Sequence, residues 1–327
     1  MKKTKKENTE KASSAGGTYS FSDENIYRKI CGINDSRVRQ LEKSLGVEII
    51  PRGISFIISG PKDKIAHTID FLKKLEANFS GRPDADDLDS FDLSYQIRNH
   101  KQEGSPWNPS EKILTTNKGK AIYPRTVNQE KFVQSLQKNI ITFASGPAGT
   151  GKTFLSIAVA SRMLQNGEVE RLILTRPAVE AGESLGFLPG DMKEKVDPYL
   201  RPIYDALNEC IGYEKVQVLT SLGKIEIAPI AFMRGRTLAN SFIILDEAQN
   251  CTAMQLKMIL TRIGKNSKMA VSGDITQIDL AKDRSGFQKV AGLLSDIPEV
   301  GSVVFGKEDI TRHYIIEAIV SRLEKLL

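Results

Sequence analysis

The chain has 327 residues, 40% of them hydrophobic and 26% charged, which describes a globular protein with ample core and excludes a disordered or fibrous one. Lys and Arg number 46 against 40 Asp and Glu, a net +6 that is compatible with a polyanionic partner and decides nothing alone. No apolar run approaches the roughly 20 residues of a membrane helix, the start MKKTKKENTEKASS lacks the apolar block of a secretion signal, and Cys31, Cys210 and Cys251 share no metal-binding or CxxC spacing, so a soluble, cytoplasmic protein without a membrane partner is expected.

Residues 1–18, with five lysines followed by Ser13-Ser14-Ala15-Gly16-Gly17, read as a disordered basic tail. Residues 19–80 read as a small α+β domain. Apolar spacing predicts one helix through Ile26 and Ile30 and a second through Val38, Leu41 and Leu45 that stops at Gly46. Val47–Ile50 and Ile54–Ile58 then predict paired strands around Pro51-Arg52-Gly53, and Lys62–Glu76 predicts a last helix with Ile65, Ile69 and Leu72 on one face. This order, with Gly32-Ile33-Asn34-Asp35 between the first two helices, resembles a KH domain, whose GxxG turn clamps a nucleic-acid backbone. Only Gly32 matches that turn, because Asp35 replaces the second glycine.

Residues 81–110 read as a linker, acidic from Asp84 to Asp92 and rich in proline around Trp107, which is expected to anchor the connection. A larger α/β domain is expected over 111–327, introduced by a hairpin of Lys112–Leu114 and Ala121–Tyr123. Apolar runs alternating with amphipathic helices predict strands near 140–145, 171–175, 225–228, 241–246, 268–272 and 301–305, the pattern of a doubly wound, mostly parallel sheet.

Gly146-Pro147-Ala148-Gly149-Thr150-Gly151-Lys152-Thr153 has the P-loop pattern, between a buried strand and a helix. A glycine-rich turn lets several backbone N–H groups converge on phosphate, and the positive end of the following helix adds to them. Lys152 is placed to reach the β- and γ-phosphates, and Thr153 to offer its hydroxyl to Mg²⁺. Ser241–Leu245 followed by Asp246-Glu247 reads as a Walker B strand, with Asp246 holding Mg²⁺ beside Thr153 and Glu247 orienting the attacking water.

The next strand runs into Gly273-Asp274-Ile275-Thr276-Gln277. Together with Asp246-Glu247-Ala248-Gln249 this resembles motif III of superfamily 1 helicases, where the glutamine senses the γ-phosphate, a role that falls to Gln277. Gln129, at the start of the helix before the P-loop strand, matches the position where helicases read adenine.

TRPAVEAGE from Thr175, LGFLPGD from Leu185, DPYLRP from Asp197, MRGRT from Met233 and LDEAQN from Leu245 stand in an order that resembles the PhoH-like ATPases. The resemblance spans about 110–325 and implies a RecA-like fold, ATP with Mg²⁺, RNA as a partner, and association with a metal-dependent endoribonuclease. A single RecA-like core also implies a homo-oligomer, possible as a ring, in which Arg176, Arg234, Arg236 or Arg312 completes a neighbour's site. His313 falls where that family has an RH motif, with capping or packing as the other reading. Two functions stay open on this basis: an ATPase that remodels RNA or regulates a ribonuclease, and a nucleotide-gated assembly module. A small-molecule kinase is disfavoured by the DEAQ and GDxxQ pairing.

Overall fold

A computed structural model of the chain describes residues 15–80, 93, 95–97, 100, 111–177, 192–278, 285–311 and 322. The chain divides into two units between Asn108 and Pro109. Trp107, the acidic run 84–92, Leu185–Asp191, Arg312 and His313 lie outside the described residues.

In the first unit the elements run β1 (Ala15–Ser20), α1 (Glu24–Cys31), α2 (Ser36–Leu45), β2 (Glu48–Arg52), β3 (Ser55–Gly60) and α3 (Lys62–Ser80). The three strands form an antiparallel sheet in the order β1-β3-β2. Asp23 caps α1 by accepting from the backbone of Asn25 and Ile26, and Gly46 ends α2 in a left-handed conformation. In the turn between α1 and α2, Asn34 and Asp35 both have positive φ, 51° and 54°. Short polar side chains tolerate that region, so the glycine expected at 35 is dispensable for the backbone path. Ile33 at its tip is 84% exposed.

Two readings of this half change. Ala15–Thr18, placed by composition in the tail, belongs to β1 and pairs with β3 from Ala15↔Gly60 to Thr18↔Ile57. A small residue is needed at Gly17, where a Cβ would lie 2.6 Å from Ile65 Cγ2 of α3. Within the stretch read as linker, Leu93 and Ile97 join the buried core of Phe21, Ile30, Leu41, Phe56 and Phe71. Their four-residue spacing is helical, a signal outweighed by the nearby acidic run.

The second unit opens with the short antiparallel pair β4 (Leu114–Thr115) and β5 (Ala121–Ile122). Its main sheet has six parallel strands: β6 (Ile141–Ser145), β7 (Arg171–Arg176), β8 (Ile225–Pro229), β9 (Ser241–Leu245), β10 (Lys268–Gly273) and β11 (Val300–Val304). They lie in the order β11-β6-β10-β9-β7-β8, within a residue or two of where hydrophobic runs predicted strands. Both faces are covered, by a cluster that includes Phe132, Ile157, Leu172 and Phe242 on one side and by Phe143, Ile173, Ile243 and Phe287 on the other. Such burial explains the continuous apolar composition of the strands.

Two helices frame the loop after β6. Helix α4 (Val127–Lys138) is capped by the Thr126 hydroxyl, which accepts from Gln129 N–H. Helix α5 (Lys152–Gln165) is buried along nearly its whole length from Leu155 to Met163, where Ser156, Ala158, Ala160 and Ser161 keep it close to the sheet. From β6 the chain moves toward β7, and from β10 it crosses to β11 on the other side of β6. Between those neighbouring strands lies the switch point where open α/β sheets bind ligands.

Candidate nucleotide site

Parallel register brings the functional segments to one edge of the sheet. Ser145 pairs with Gly273 and Leu245 with Thr175, so Gly146, Asp274, Asp246 and Arg176 leave their strands side by side. Gly146 has φ 148°, and a Cβ there would lie 2.6 Å from both Cβ and the carbonyl oxygen of Phe305, so only glycine lets the loop pass β11. Gly151, at φ 84°, starts α5.

Lys152 folds back onto the loop. Its ammonium donates to the carbonyls of Gly146 at 2.7 Å and Pro147 at 2.8 Å, and to Thr150 Oγ1 at 3.3 Å. Burial holds its pKa below the ordinary lysine range, and the charges of Asp274, Asp246 and Glu247 oppose that shift. A polyanion in the loop favours the charged form further and can draw the ammonium off the carbonyls.

Gln129 is buried behind the loop. Its Oε1 accepts from Arg125 N–H at 2.7 Å and its Nε2 donates to the Thr150 carbonyl at 3.0 Å. In this arrangement the amide expected to read adenine is committed to the protein and props the loop. From the other side Thr311 donates through N–H and hydroxyl to the Gly149 carbonyl, at 2.9 and 3.1 Å. Buried Asp309 ties the same region together, accepting from Thr126 Oγ1 at 2.6 Å, Asn128 Nδ2 at 2.9 Å and Gly306 N–H at 2.8 Å. Sequence reasoning gave Asp309 no role, because its side-chain partners Thr126 and Asn128 lie 183 and 181 residues upstream.

Asp246 is buried and fully engaged. Oδ1 accepts from Thr153 Oγ1 at 2.8 Å and Ser272 Oγ at 2.9 Å. Oδ2 accepts from Arg176 Nε at 3.0 Å and Nη2 at 2.5 Å. Glu247 follows in the left-handed conformation, at φ 55°, which turns its side chain away from that of Asp246 and leaves it 44% exposed. Its Oε2 accepts from Gln249 Nε2 at 2.7 Å.

Buried Gln249 is the second residue the sequence reading passed over. Its Nε2 also donates to the Gln277 carbonyl at 3.0 Å, and its Oε1 accepts from Asp274 N–H at 2.9 Å. One side chain therefore joins the loops after β9 and β10. Gln277 itself is exposed, and its Nε2 donates to Asp274 Oδ2 at 2.9 Å. The glutamine pair in DEAQ and GDxxQ was the available signal.

The oxygens of Thr153 and Asp246 fit a hard divalent cation. Among the described residues no group of three or more His, Cys, Asp or Glu can hold a metal alone. Of the arginines weighed for a neighbour's site, Arg176 is held on Asp246, Arg236 forms a two-pronged pair with Glu226 at 2.5 and 2.7 Å, and Arg234 is exposed.

A parallel sheet ordered β11-β6-β10-β9-β7-β8, with a P-loop at its switch point and an acidic Walker B edge two strands away, defines a P-loop NTPase. A family model described as PhoH-like protein matches residues 121–324. The chain is 42% identical over 297 residues to a PhoH-like protein of Synechocystis sp., covering 90% of each, and 42% identical over 298 residues to one of Bacillus subtilis, covering 90% of this chain and 92% of that one. The chain belongs to the PhoH-like family. Among solved structures, the large terminase of a thermophilic bacteriophage aligns over 60% of this chain and 50% of its own, with 12% identity and a TM-score of 0.41. No helix among the described residues is long and apolar enough to cross a membrane.

Proposed function

We propose that the protein is a cytoplasmic, Mg²⁺-dependent ATPase whose cycle is coupled to RNA, as a helicase-like remodeller or as the regulator of a metal-dependent endoribonuclease. The observation that carries the hydrolytic reading is the meeting of Thr153, Asp246 and Ser272 within hydrogen-bond distance at the edge where Lys152 and Glu247 also emerge. In this reading the backbone amides of Gly149–Thr153 and the Lys152 ammonium bind the phosphates, and Thr153 and Asp246 hold Mg²⁺. When bound, the metal neutralises charge that develops on the phosphate oxygens. Glu247, free of the buried pocket and fixed by Gln249, positions the attacking water and takes its proton. Gln277, on the loop that Gln249 ties to Walker B, senses the γ-phosphate.

Coupling to RNA is supported by the β-α-α-β-β-α order of the first unit and by the exposed Ile33–Asp35 turn. A homo-oligomer is part of this reading, because one core supplies only half of a helicase-like site. In this reading Arg234, exposed beyond the edge strand β8, is the arginine that serves a neighbouring copy.

Hydrolysis measured with and without single-stranded RNA at two salt concentrations tests the coupling. Stimulation that weakens with salt is expected; hydrolysis indifferent to RNA, with assembly that changes on ATP addition, favours the nucleotide-gated module instead. Lys152→Ala is expected to abolish ATP binding, and Glu247→Gln to preserve binding and block turnover. Equal hydrolysis by wild type and Glu247→Gln removes Glu247 from its role.

A further inference from the structure

Asp246 has four hydrogen-bond donors on its two oxygens, which uses the acceptor capacity of a carboxylate. A cation that reaches Asp246 directly or through its water therefore has to replace one of them. Three features single out Arg176 as the donor that leaves. The Thr153 hydroxyl can go on donating to Asp246 while its lone pairs face a metal. Ser272 sits within β10, fully buried, on a short side chain. Arg176 ends β7 on a long side chain, 15% exposed, and its Nη2 already lies 3.8 Å from Glu247 Oε1.

Strand register fixes this placement. Thr175 stands opposite Leu245 and its carbonyl accepts from Asp246 N–H at 3.0 Å, so the next residue on β7 emerges against Asp246. Pro177 restricts Arg176 to extended backbone, which aims the side chain along the sheet edge. A guanidinium between two carboxylates lowers the repulsion that a site built for a cation has when no cation is there. That repulsion would otherwise fall on a buried Asp246, where an unpaired charge is costly.

We propose that Arg176 is the resident counterion of Asp246 in the nucleotide-free protein, and that it yields this carboxylate to Mg²⁺ and transfers to the terminal phosphate when ATP loads. Arg176 thereby acts within its own subunit as a switch between empty and loaded states, and as the group that tells ATP from ADP. Its planar fork suits a phosphate as well as a carboxylate, so the exchange keeps its hydrogen bonds. The inference rests on the ATPase reading above.

The test uses the full chain with Arg176→Ala and Arg176→Lys, and reads binding of fluorescent ATP and ADP analogues across a Mg²⁺ titration, with no turnover needed. For Arg176→Ala the Mg²⁺ concentration at half-maximal ATP binding is expected to fall about tenfold, and the preference for ATP over ADP to shrink by a similar factor. Arg176→Lys, which keeps the charge and loses the fork, is expected to lie between; it carries the test if the alanine variant does not fold. An unchanged Mg²⁺ midpoint overturns the counterion role. A lowered midpoint with an unchanged ATP to ADP ratio overturns the transfer to phosphate, because removing any nearby positive charge would do as much. Wild type that binds neither analogue, with or without Mg²⁺, sinks the nucleotide reading itself and is told apart by that control.

Discussion

Replacing Gln249 by leucine, close in size and unable to hydrogen-bond, separates the two loops that this residue joins. The Asp274 N–H then loses its acceptor inside the protein, which costs about 1–3 kcal/mol for a buried group. The bond to Glu247 is charge-assisted but its acceptor is 44% exposed, so solvent screening reduces it to about 1 kcal/mol. The Gln277 carbonyl, on an exposed residue, turns to water at little cost. The sum is about 2–4 kcal/mol, which for a unit of this size lowers Tm by roughly 5–15 °C. Function should suffer more than stability implies. Without its partner Glu247 is no longer held in one place, and in the role proposed for it a displacement of about 1 Å costs on the order of 10²-fold in rate. Binding of ATP should stay within about threefold of wild type, because no P-loop contact is touched. Steady-state hydrolysis, binding of a fluorescent ATP analogue and thermal unfolding are measured on the same preparation. Hydrolysis within about threefold of wild type, in a variant destabilised as stated, would falsify the positioning role and leave Gln249 a brace.

Asp309→Ala removes three hydrogen bonds from a buried carboxylate and strands the Thr126 and Gly306 donors, so a loss of about 2–4 kcal/mol is expected in denaturant unfolding; a loss below about 1 kcal/mol would show that water takes over the carboxylate's place. Thr126→Ala, which removes one of those donors together with the cap of α4, should cost about 1–2 kcal/mol by the same measurement. In the first unit His100 is buried beside His67, 4.6 Å between ring centroids, and 3.6 Å from Asp70. Burial and the His67 charge hold its pKa below the usual histidine value, against the pull of Asp70. The unfolded chain therefore binds the proton more readily, and stability should fall as pH drops below about 6.5 until the folded pKa is passed. Amide exchange along α3 of the whole chain reads this, and His100→Phe should flatten the dependence; an equal slope in both proteins would assign it to other groups.

Much of the second unit was legible because its information is local. A run such as Ser241–Leu245 can only be a strand buried on both faces, and the glycines at 146, 149 and 151 announce backbone paths closed to other residues. The helix start near Gln129 and, in the first unit, the stop at Gly46 were likewise written in their immediate neighbours. Composition misled where small or acidic residues outweighed pattern, at Ala15–Thr18 and around Leu93 and Ile97, since whether a glycine loosens a tail or admits a helix depends on what packs against it.

By itself, then, the sequence determined the P-loop, the acidic strand end and the alternating α/β pattern, because each arises from the stereochemistry of adjacent residues. Only the tertiary structure decided that β10 lies between β6 and β9, and with it that Thr153 and Ser272 meet on one oxygen of Asp246 while Arg176 takes the other. Strand order and the choice among several arginines or glutamines are settled by packing over tens to hundreds of residues of separation. Arg176, Arg234 and Arg236 end on Asp246, at the surface and on Glu226, a division set by which strand ends the fold brings together.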